Sequence, residues 1–252
     1  MPLSSFNFII YLWIALALFT FLLLLKVTAP YGRHTKSNWG PMIDNRIAWF
    51  LMESPALIFP TIFYFAGQAE KNPVVWCFYL LFMLHYLNRA FIYSFRIRTR
   101  GKKMPIVIVL MAVFFNVING YFIGYYLGNY SYLYDISWFT DWRFIIGIIL
   151  FTSGIIINWK SDNILIGLRK ESRNGYQIPQ GSLFKYISCP NHLGEVIEWI
   201  GFAWMTWSLA GLSFAIWSMA NLIPRALDHH KWYIEHFDDY PSERKAIIPY
   251  LL

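Results

Sequence analysis

Glu53 is the first candidate for chemistry, because it is the only charged residue between Arg46 and Glu70. The residues just before it, Ala48-Trp49-Phe50-Leu51-Met52, are apolar. A charge in such a segment is costly to bury, so a functional role for Glu53 is considered ahead of a purely structural one. Apolar surroundings favour the neutral acid, which can donate a hydrogen bond to a substrate oxygen. The structural alternative is a carboxylate that pairs with a distant basic residue and only holds helices together.

Tyr86 is the second candidate, in a polar group that ends an apolar segment and contains His85, Tyr86, Asn88 and Arg89. Arg89 follows Tyr86 by three residues, so the two side chains are neighbours on a helix surface. A nearby cation favours a more acidic phenol, which suits Tyr86 as a proton donor. Anchoring at the membrane interface is the alternative, because Tyr, His and Arg also lie at headgroup level.

The segment from Asn158 to Leu193 is the most polar part of the chain and predicts a cofactor site. Asn158, Asp162 and Arg169 form a stripe with helical spacing, and a similar stripe on the next helix comprises Asn191, Glu195 and Glu198. Residues four and seven apart share one helix face, so each stripe points in one direction. Acids, amides and an arginine in one bundle can hold a ribose, a nicotinamide or a phosphate. A buried ion-pair network that only joins helices is the alternative.

The carboxyl-terminal segment adds Arg225, His229, His230, Tyr233, Arg244 and Lys245. Arginine suits the phosphates of a dinucleotide, and the 2′-phosphate in particular, although these residues also fit a cytosolic topology signal. The sequence has no G-x-G-x-x-G, no P-loop and no strand pattern, so helices and loops must hold any nucleotide. No H-x-x-x-H accompanies the adjacent histidines and no nucleophile elbow is present, so we expect neither a metal site nor a serine hydrolase.

The elements that position these residues are membrane helices. The sequence is 57% hydrophobic and only 14% charged, against about 25% charged in a soluble domain. Apolar length and breakers predict seven helices, at 6–28, 46–66, 73–95, 104–127, 142–159, 193–206 and 208–227. The last two are separated by a tight hairpin or a helix break near Ser208. The first is a retained helix, since it lacks a basic n-region and a signal-peptidase site.

The loop charges predict the orientation. Lys and Arg gather after the first, third and fifth predicted helices, whereas the loop Gly128–Trp142 carries two acids and no basic residue. The positive-inside rule then places the amino terminus outside and the carboxyl terminus in the cytosol. The formal charge of +7 reflects this topology and does not indicate nucleic-acid binding. We expect one all-α, multi-pass membrane domain over residues 1–252, in the endoplasmic reticulum or a bacterial inner membrane. Its two cysteines indicate no disulfide framework.

The ordered segments resemble one family, the steroid 5α-reductases (3-oxo-5α-steroid 4-dehydrogenases). The resemblance covers nearly the whole chain and is densest after Asn158. The matching stretches include Tyr31-Gly32-Arg33-His34-Thr35, Ala48-Trp49-Phe50-Leu51-Met52-Glu53, Leu84-His85-Tyr86, Ser161-Asp162, Leu168-Arg169-Lys170, Ile178-Pro179-Gln180-Gly181, Leu193-Gly194-Glu195, Ile197-Glu198-Trp199-Ile200-Gly201, Thr206-Trp207-Ser208, Asp239-Tyr240-Pro241 and Arg244-Lys245-Ala246.

The resemblance implies a seven-helix fold that encloses NADPH from the cytosolic side and takes a steroid from the lipid bilayer. We expect a monomer. Residues 1–130 would mainly form the substrate cavity and residues 140–252 the NADPH-binding half. Glu53 and Tyr86 would bind the C3 carbonyl of a 3-oxo-Δ4-steroid, hydride would reach C5 and a proton C4. The residues that the resemblance assigns to the cofactor are Asn158, Asp162, Arg169, Tyr176, Asn191, Glu195, His229, Tyr233 and Arg244. No metal and no obligate protein partner are implied.

Three residues depart from a mammalian member of the family. Met52 replaces a Gln beside the catalytic Glu, which removes one polar substrate contact. Met111 and Gln177 each replace an Arg, which would weaken cofactor binding or shift it to other basic residues. Because of the Met52 replacement, the steroid preference is expected to differ from that of the mammalian enzyme.

Three other functions fit parts of the sequence. One is a reductase of another lipid enone, of the polyprenol or enoyl-thioester type, since such enzymes share the carboxyl-terminal cofactor half. A second is an isoprenylcysteine-type membrane methyltransferase, which uses S-adenosylmethionine. A third is a seven-helix receptor or transporter in which Glu53 and Arg89 serve coupling. The Glu53 and Tyr86 segments favour the steroid reductase.

Overall fold

The computed structural model describes residues 1–99, 101–171 and 176–252, and most of their regular structure is helical. The helices are α1 (Leu3–Leu24), α2 (Asn45–Glu53), α3 (Pro55–Ala66), α4 (Pro73–Leu87), α5 (Ser94–Arg96), α6 (Ile106–Asn129), α7 (Trp142–Glu171), α8 (Pro190–Thr206) and α9 (Leu209–His236). A π-helical turn, Asn88–Tyr93, joins α4 to α5. Short 3₁₀ turns lie at Gly32–His34, Ser131–Leu133, Ile136–Thr140 and Ser182–Lys185.

Five helical stretches of the described chain are long and apolar enough to cross a bilayer. They are Leu3–Leu24, Asn45–Ala66, Pro73–Arg96, Ile106–Asn129 and Trp142–Arg169. The prediction of a multi-pass membrane protein is thus supported by helix length and composition. Helices α8 and α9 occur where the sixth and seventh spans were expected, but they are not among these five. The count of seven spans and the orientation stay predictions.

The structure corrects two helix ends and confirms one break. Helix α7 continues to Glu171 and α9 to His236, whereas the sequence predicted ends at 159 and 227. Those predictions stopped where the apolar run stopped, yet a helix can extend into water on a polar stripe. Between α8 and α9, Trp207 adopts a left-handed conformation with φ 43° and ψ 40°. The Ser208 hydroxyl then caps α9 by accepting from the Gly211 N–H at 3.0 Å.

One two-stranded sheet was not predicted. Strands β1 (Met42–Asp44) and β2 (Lys103–Pro105) pair antiparallel, with Ile43 opposite Met104. Three residues are too few to show the alternation that marks a strand in sequence. Each strand leads directly into a helix, and the Asp44 carboxylate caps α2 by accepting from the Arg46 N–H at 2.9 Å. The sheet therefore fixes the starts of α2 and α6 side by side.

The chain forms two compact units. One comprises Ala29–Ile145, and the other comprises Met1–Thr28 with Ile146–Leu252. Helix α1 belongs to the second unit because it packs on α9: the Trp13 and Trp217 rings lie 4.6 Å apart, and the Trp217 indole N–H donates to the Trp13 carbonyl at 3.1 Å. The sequence placed the division between residues 130 and 140 and grouped α1 with the amino-terminal half.

Within the unit Ala29–Ile145, α3 and α6 touch through their backbones. Gly120, Gly124 and Gly128 repeat every fourth residue on α6. A methyl group at Gly124 would overlap the carbonyl of Pro60 on α3, and one at Gly128 would overlap the carbonyl of Phe63. This small-xxx-small pattern allows the close approach that stabilises helix pairs in membranes. The pair supports the segment that carries Glu53.

At the ends of α3 and α6, one lysine joins the two helices. The Lys71 ammonium donates to the Ala69 carbonyl at 2.7 Å, to the Gly128 carbonyl at 3.3 Å and to the Gly67 carbonyl. A cation at helix carboxyl ends satisfies carbonyls that have no partner within the helix and complements the helix dipole. Burial lowers the pKa of Lys71 from its usual value.

In the other unit, α7 and α8 also meet through glycines, spaced here by seven residues. They are Gly147 and Gly154 on α7 and Gly194 and Gly201 on α8. A methyl group at Gly154 would overlap the backbone of Gly194 and Glu198, and one at Gly194 would overlap the backbone of Asn158. This contact brings the two polar stripes of the sequence next to each other.

We expect Gly154→Ala to lower the thermal stability of the protein, because the added methyl falls within 3.0 Å of main-chain atoms that cannot rotate away. Such overpacking costs about 1–3 kcal/mol. Gly167→Ala on the same helix is the matched control, since a methyl there meets nothing within 4 Å and alanine favours a helix by about 1 kcal/mol. The melting temperatures of the detergent-purified variants are the measurement. Equal melting of both variants would refute the close α7–α8 contact.

Candidate functional site

Glu53 ends α2 and points into the unit Ala29–Ile145, where its side chain is 14% exposed. The helix continues through Ser54 into α3, so Glu53 lies within a membrane-crossing stretch and not at its end. On α6, Asn116 is buried and its amide donates to the Met52 carbonyl at 2.6 Å. This bond ties α6 to the residue just before Glu53 and limits its movement.

Arg89 is the ionic partner of Glu53. The Nε of Arg89 lies 3.7 Å from Oε1 of Glu53, and the arginine side chain is 11% exposed. The guanidinium also lies over two rings, with its Cζ 5.0 Å from the centre of Trp49 and 4.6 Å from that of Tyr93. Ring contacts of this kind hold a desolvated cation. The sequence grouped Arg89 with Tyr86, and the structure adds the pairing with Glu53.

The π-helical turn places Arg89. This turn spans Asn88–Tyr93, and the Ser94 hydroxyl donates to the Arg89 carbonyl at 3.0 Å, five residues back. A π turn shifts the register of all later residues relative to an α-helix and is frequent at functional sites. Residues before and after the turn thus present different faces from those that 3.6-residue spacing predicts. No pattern in the sequence marks this turn.

Tyr86 is buried in the same unit, with 5% of its surface exposed. Its ring contacts Phe82 at 4.9 Å and His85 at 5.0 Å, measured between ring centres. An aromatic residue that only anchors the protein at headgroup level would be exposed. The burial of Tyr86 therefore disfavours the anchoring interpretation.

The two polar stripes meet in the unit that contains α7 and α8. The Asn158 amide donates to the Asn191 carbonyl at 3.0 Å, so the first residue of one stripe contacts the first of the other. Asn158, Asp162 and Glu198 are buried, and Glu195 and Arg169 are half-buried. The extended α7 carries all three residues of its stripe on one continuous helix.

Aromatic contacts hold three other cofactor candidates, Tyr176, His229 and Tyr233, near the carboxyl end of α9. The Tyr176 ring lies 5.0 Å from Trp232, and His229 lies 5.6 Å from His192 on α8. Tyr233 is buried and stacks on Tyr240, with ring centres 5.2 Å apart and planes 8° from parallel. These contacts bring Tyr176, His229 and Tyr233 to neighbouring positions on α9 and the segments packed against it.

Arg244 is a buried cation of this unit, with 3% of its surface exposed. Its two terminal nitrogens donate to the Pro179 carbonyl and to Oε1 of Gln180, both at 2.9 Å. Its Nε is also buried, and it has no hydrogen-bond partner in the part of the chain that the structure describes. A buried guanidinium with an unused N–H is suited to an anionic oxygen such as a dinucleotide phosphate.

The three departures from the family pattern lie in different environments. Met52 is buried in an apolar cluster with Ala48, Met104 and Val109. Met111 is 60% exposed and Gln177 is exposed as well. Two supporting residues, Asn116 and Ser188, were not picked out from the sequence. An isolated polar residue within an apolar helix is the signal that would have found Asn116.

Comparison with known proteins gives a consistent result. The profile of the family 3-oxo-5-alpha-steroid 4-dehydrogenase matches residues 102–252. Steroid 5-alpha-reductase DET2 of Solanum lycopersicum is 42% identical over 253 residues, which covers 98% of this chain and 97% of the relative. The protein of the same name from Arabidopsis thaliana is 43% identical, covering 92% and 91%. The 3-oxo-5-alpha-steroid 4-dehydrogenase 1 of Bos taurus is 41% identical, covering 96% and 95%.

We expect Arg89 and Glu53 to be energetically coupled. Arg89→Met removes the partner of a carboxylate inside the helices, which costs about 3–5 kcal/mol for a buried pair. Glu53→Gln removes the charge, so the double variant should lose less stability than the two single losses combined. Thermal unfolding of the wild type, both single variants and the double variant in detergent measures this coupling. Strictly additive losses would mean that the 3.7 Å pair contributes no interaction energy.

Proposed function

Because the chain belongs to the steroid 5-alpha-reductase (3-oxo-5-alpha-steroid 4-dehydrogenase) family, we propose that it reduces the Δ4 double bond of 3-oxo-Δ4-steroids to 5α-dihydrosteroids, with NADPH as cofactor. It is then an oxidoreductase acting on a CH–CH group. The observation that carries the proposal is identity above 40% across nearly the full length of plant and animal relatives whose names state this activity. A similarity confined to the cofactor half would leave other lipid enones equally open.

Glu53 and Tyr86 bind the C3 carbonyl oxygen in this proposal. Negative charge develops on that oxygen as C5 receives a hydride, because the enone becomes an enolate. Hydrogen bonds from the Tyr86 hydroxyl and the protonated Glu53 carboxyl stabilise the charge, and a proton then reaches C4. Each well-placed donor contributes about 3 kcal/mol, by analogy with oxyanion holes. The apolar surroundings of both side chains strengthen these bonds.

Arg89 has a supporting role beside Glu53. Its guanidinium is held over Trp49 and Tyr93, so it presents a fixed positive charge 3.7 Å from the carboxyl group. We propose that Arg89 pairs with the Glu53 carboxylate in the free protein, and that Glu53 takes up a proton when the substrate carbonyl binds beside it. The guanidinium then orients the neutral carboxyl group and further stabilises the charge that develops on the substrate oxygen. The stacked geometry requires a planar cation, so lysine would not replace arginine.

The proposed cofactor residues are those of the two polar stripes and the α9 end, namely Asn158, Asp162, Arg169, Tyr176, Asn191, Glu195, His229, Tyr233 and Arg244. When bound, NADPH supplies the hydride. The chain's own contribution is to hold it: the amide and acid groups of α7 and α8 suit ribose and nicotinamide, and the buried Arg244 suits a phosphate. The unused N–H of Arg244 supports this fit.

We also propose that the chain crosses the membrane seven times as a monomer, with its amino terminus outside and its carboxyl terminus in the cytosol. Helices α8 and α9 would supply the two spans beyond the five that meet the criteria of length and apolar composition. Their polar faces would then point toward protein and not toward lipid, which is where polar groups in membrane helices belong. The basic carboxyl-terminal segment would meet the cofactor from the cytosol.

The test is a transfer experiment with labelled cofactor. Detergent-purified protein is incubated with testosterone or progesterone and NADPH deuterated at the transferable hydrogen, and the product is identified by mass spectrometry. We expect one deuterium at C5 of a 5α-dihydrosteroid. Tight NADPH binding without steroid reduction would reject the steroid and indicate another lipid enone. Binding of S-adenosylmethionine in place of NADPH would indicate a methyltransferase.

We expect Glu53→Gln and Tyr86→Phe to lower kcat by about a hundredfold or more, because phenylalanine has no donor and the glutamine amide is a weaker donor to the developing oxyanion than a carboxylic acid. The Kd for NADPH should stay within about twofold of wild type, since neither residue belongs to the proposed cofactor set. Glu70→Gln and Tyr11→Phe are matched controls at exposed positions and should keep full activity. A Glu53→Gln or Tyr86→Phe variant with near-wild-type turnover would refute the role given to that residue.

A further inference from the structure

We infer that Ser188 is a positioning residue for the dinucleotide, acting through Tyr240 on Tyr233 and Arg244. The inference rests on the proposed function, because it concerns how the proposed cofactor residues are held. Ser188 lies just before α8 and is buried. It is not among the residues proposed to contact the cofactor.

The hydroxyl group of Ser188 is shared by three chain segments. Its Oγ lies 2.6 Å from Nδ1 of His230, 2.6 Å from the Tyr240 hydroxyl and 3.1 Å from the Lys245 carbonyl. A serine hydroxyl has one proton and two lone pairs, so these three contacts use its full capacity. If the Ser188 proton goes to the Lys245 carbonyl, Ser188 accepts from the Tyr240 O–H and from an Nδ1–H of His230.

This assignment requires a proton on Nδ1 of His230. Burial and the nearby Lys245 charge both lower the pKa of His230, which favours the neutral ring. In its Nδ1–H tautomer the neutral ring donates to Ser188. The hydroxyl thereby joins α9 to the carboxyl-terminal segment.

Backbone bonds independently hold residues 186–189 against the carboxyl-terminal segment. The Ser188 N–H donates to the Lys245 carbonyl at 2.8 Å, the Cys189 N–H to the Ala246 carbonyl at 3.1 Å, and the Lys245 N–H to the Tyr186 carbonyl at 3.0 Å. Ile187 and Lys245 form a parallel bridge. Because the main chain makes these contacts, loss of the Ser188 hydroxyl should leave the segments joined. The side chain therefore has a task separate from holding the fold.

That task is to fix the ring of Tyr240. Tyr240 stacks on Tyr233 with ring centres 5.2 Å apart, and the Cζ of Arg244 lies 5.3 Å from the centre of the Tyr240 ring. Two residues of the proposed cofactor set thus contact one ring, and Ser188 anchors the hydroxyl of that ring. Tyr240 is half-buried, and without the Ser188 Oγ its hydroxyl loses a hydrogen-bond partner at 2.6 Å that helps to fix the ring. Tyr233 and Arg244 would then each lose one of the contacts that orient them.

The consequence is specific to cofactor affinity. Ser188, Tyr240 and Arg244 belong to the unit of α7–α9, whereas Glu53 and Tyr86 belong to the other unit. A change at Ser188 should therefore weaken NADPH binding and leave the chemical step largely intact. A general loss of folding would reduce the active fraction and lower kcat with no change in Kd, which is a different pattern.

The experiment compares Ser188→Ala with Ser188→Thr, which restores the hydroxyl. We expect the Kd and the KM for NADPH to rise about tenfold in Ser188→Ala, the effect of losing one or two hydrogen bonds, with kcat within about twofold of wild type. Ser188→Thr should recover most of the affinity. Ser218→Ala is the matched control, because Ser218 is also buried but its hydroxyl donates to the Phe214 carbonyl of its own helix at 2.9 Å. Its Kd should not change.

Tyr240→Phe provides a second measurement that does not depend on the fold of Ser188→Ala. It keeps the stacked ring and removes only the hydroxyl, so its Kd for NADPH should rise in the same direction. An unchanged Kd in both Ser188→Ala and Tyr240→Phe would overturn the inference, as would a fall in kcat at constant Kd. Failure of the wild-type protein to bind NADPH would refute the proposed function itself. That result is distinguishable from a refutation of the Ser188 inference, in which the wild type binds NADPH and the variants bind it equally well.

Discussion

Backbone contact between helices at glycine is the constraint on which the rest of this structure depends. Lipid tails are as apolar as leucine, so burial of apolar surface does not drive membrane helices together. Close packing and interhelical polar contacts must do so, and both need backbones that approach closely. Gly147, Gly154, Gly194 and Gly201 provide this between α7 and α8, and Gly120, Gly124 and Gly128 provide it between α3 and α6. The α7–α8 pair carries residues of the proposed cofactor set, and α3 directly follows the helix that ends in Glu53.

Polar groups within the helices then find partners at short range. Glu53 pairs with Arg89, Asn116 with the Met52 carbonyl, and Asn158 with the Asn191 carbonyl. In a medium without water, an unpaired group of this kind costs several kcal/mol. The pairs therefore add specificity to a packing that apolar side chains alone would leave loosely defined. They also hold the candidate catalytic and cofactor residues in fixed positions.

Much of the fold followed from local pattern. Long apolar runs located the helices, and Glu53 and Tyr86 were singled out as polar residues within or at the end of such runs. Helix ends were less well predicted where a polar stripe extends a helix beyond its apolar run, as in α7 and α9. The π turn at Asn88–Tyr93 and the three-residue strands left no signal at all. Such features depend on contacts with neighbouring elements, which local propensity does not describe.

By itself the sequence determined the membrane class, the approximate positions of the helices, the residue types available for chemistry and the resemblance to a family. These properties depend on composition and on spacing along one chain. The tertiary structure alone decided that Arg89 contacts Glu53, that α7 meets α8 at glycine, and that Ser188 is linked to residues 42 and 52 positions away. Contacts between residues so far apart in the chain are set by how the helices pack in space. They could not be predicted from the sequence, because no local pattern encodes the partner of a buried polar group.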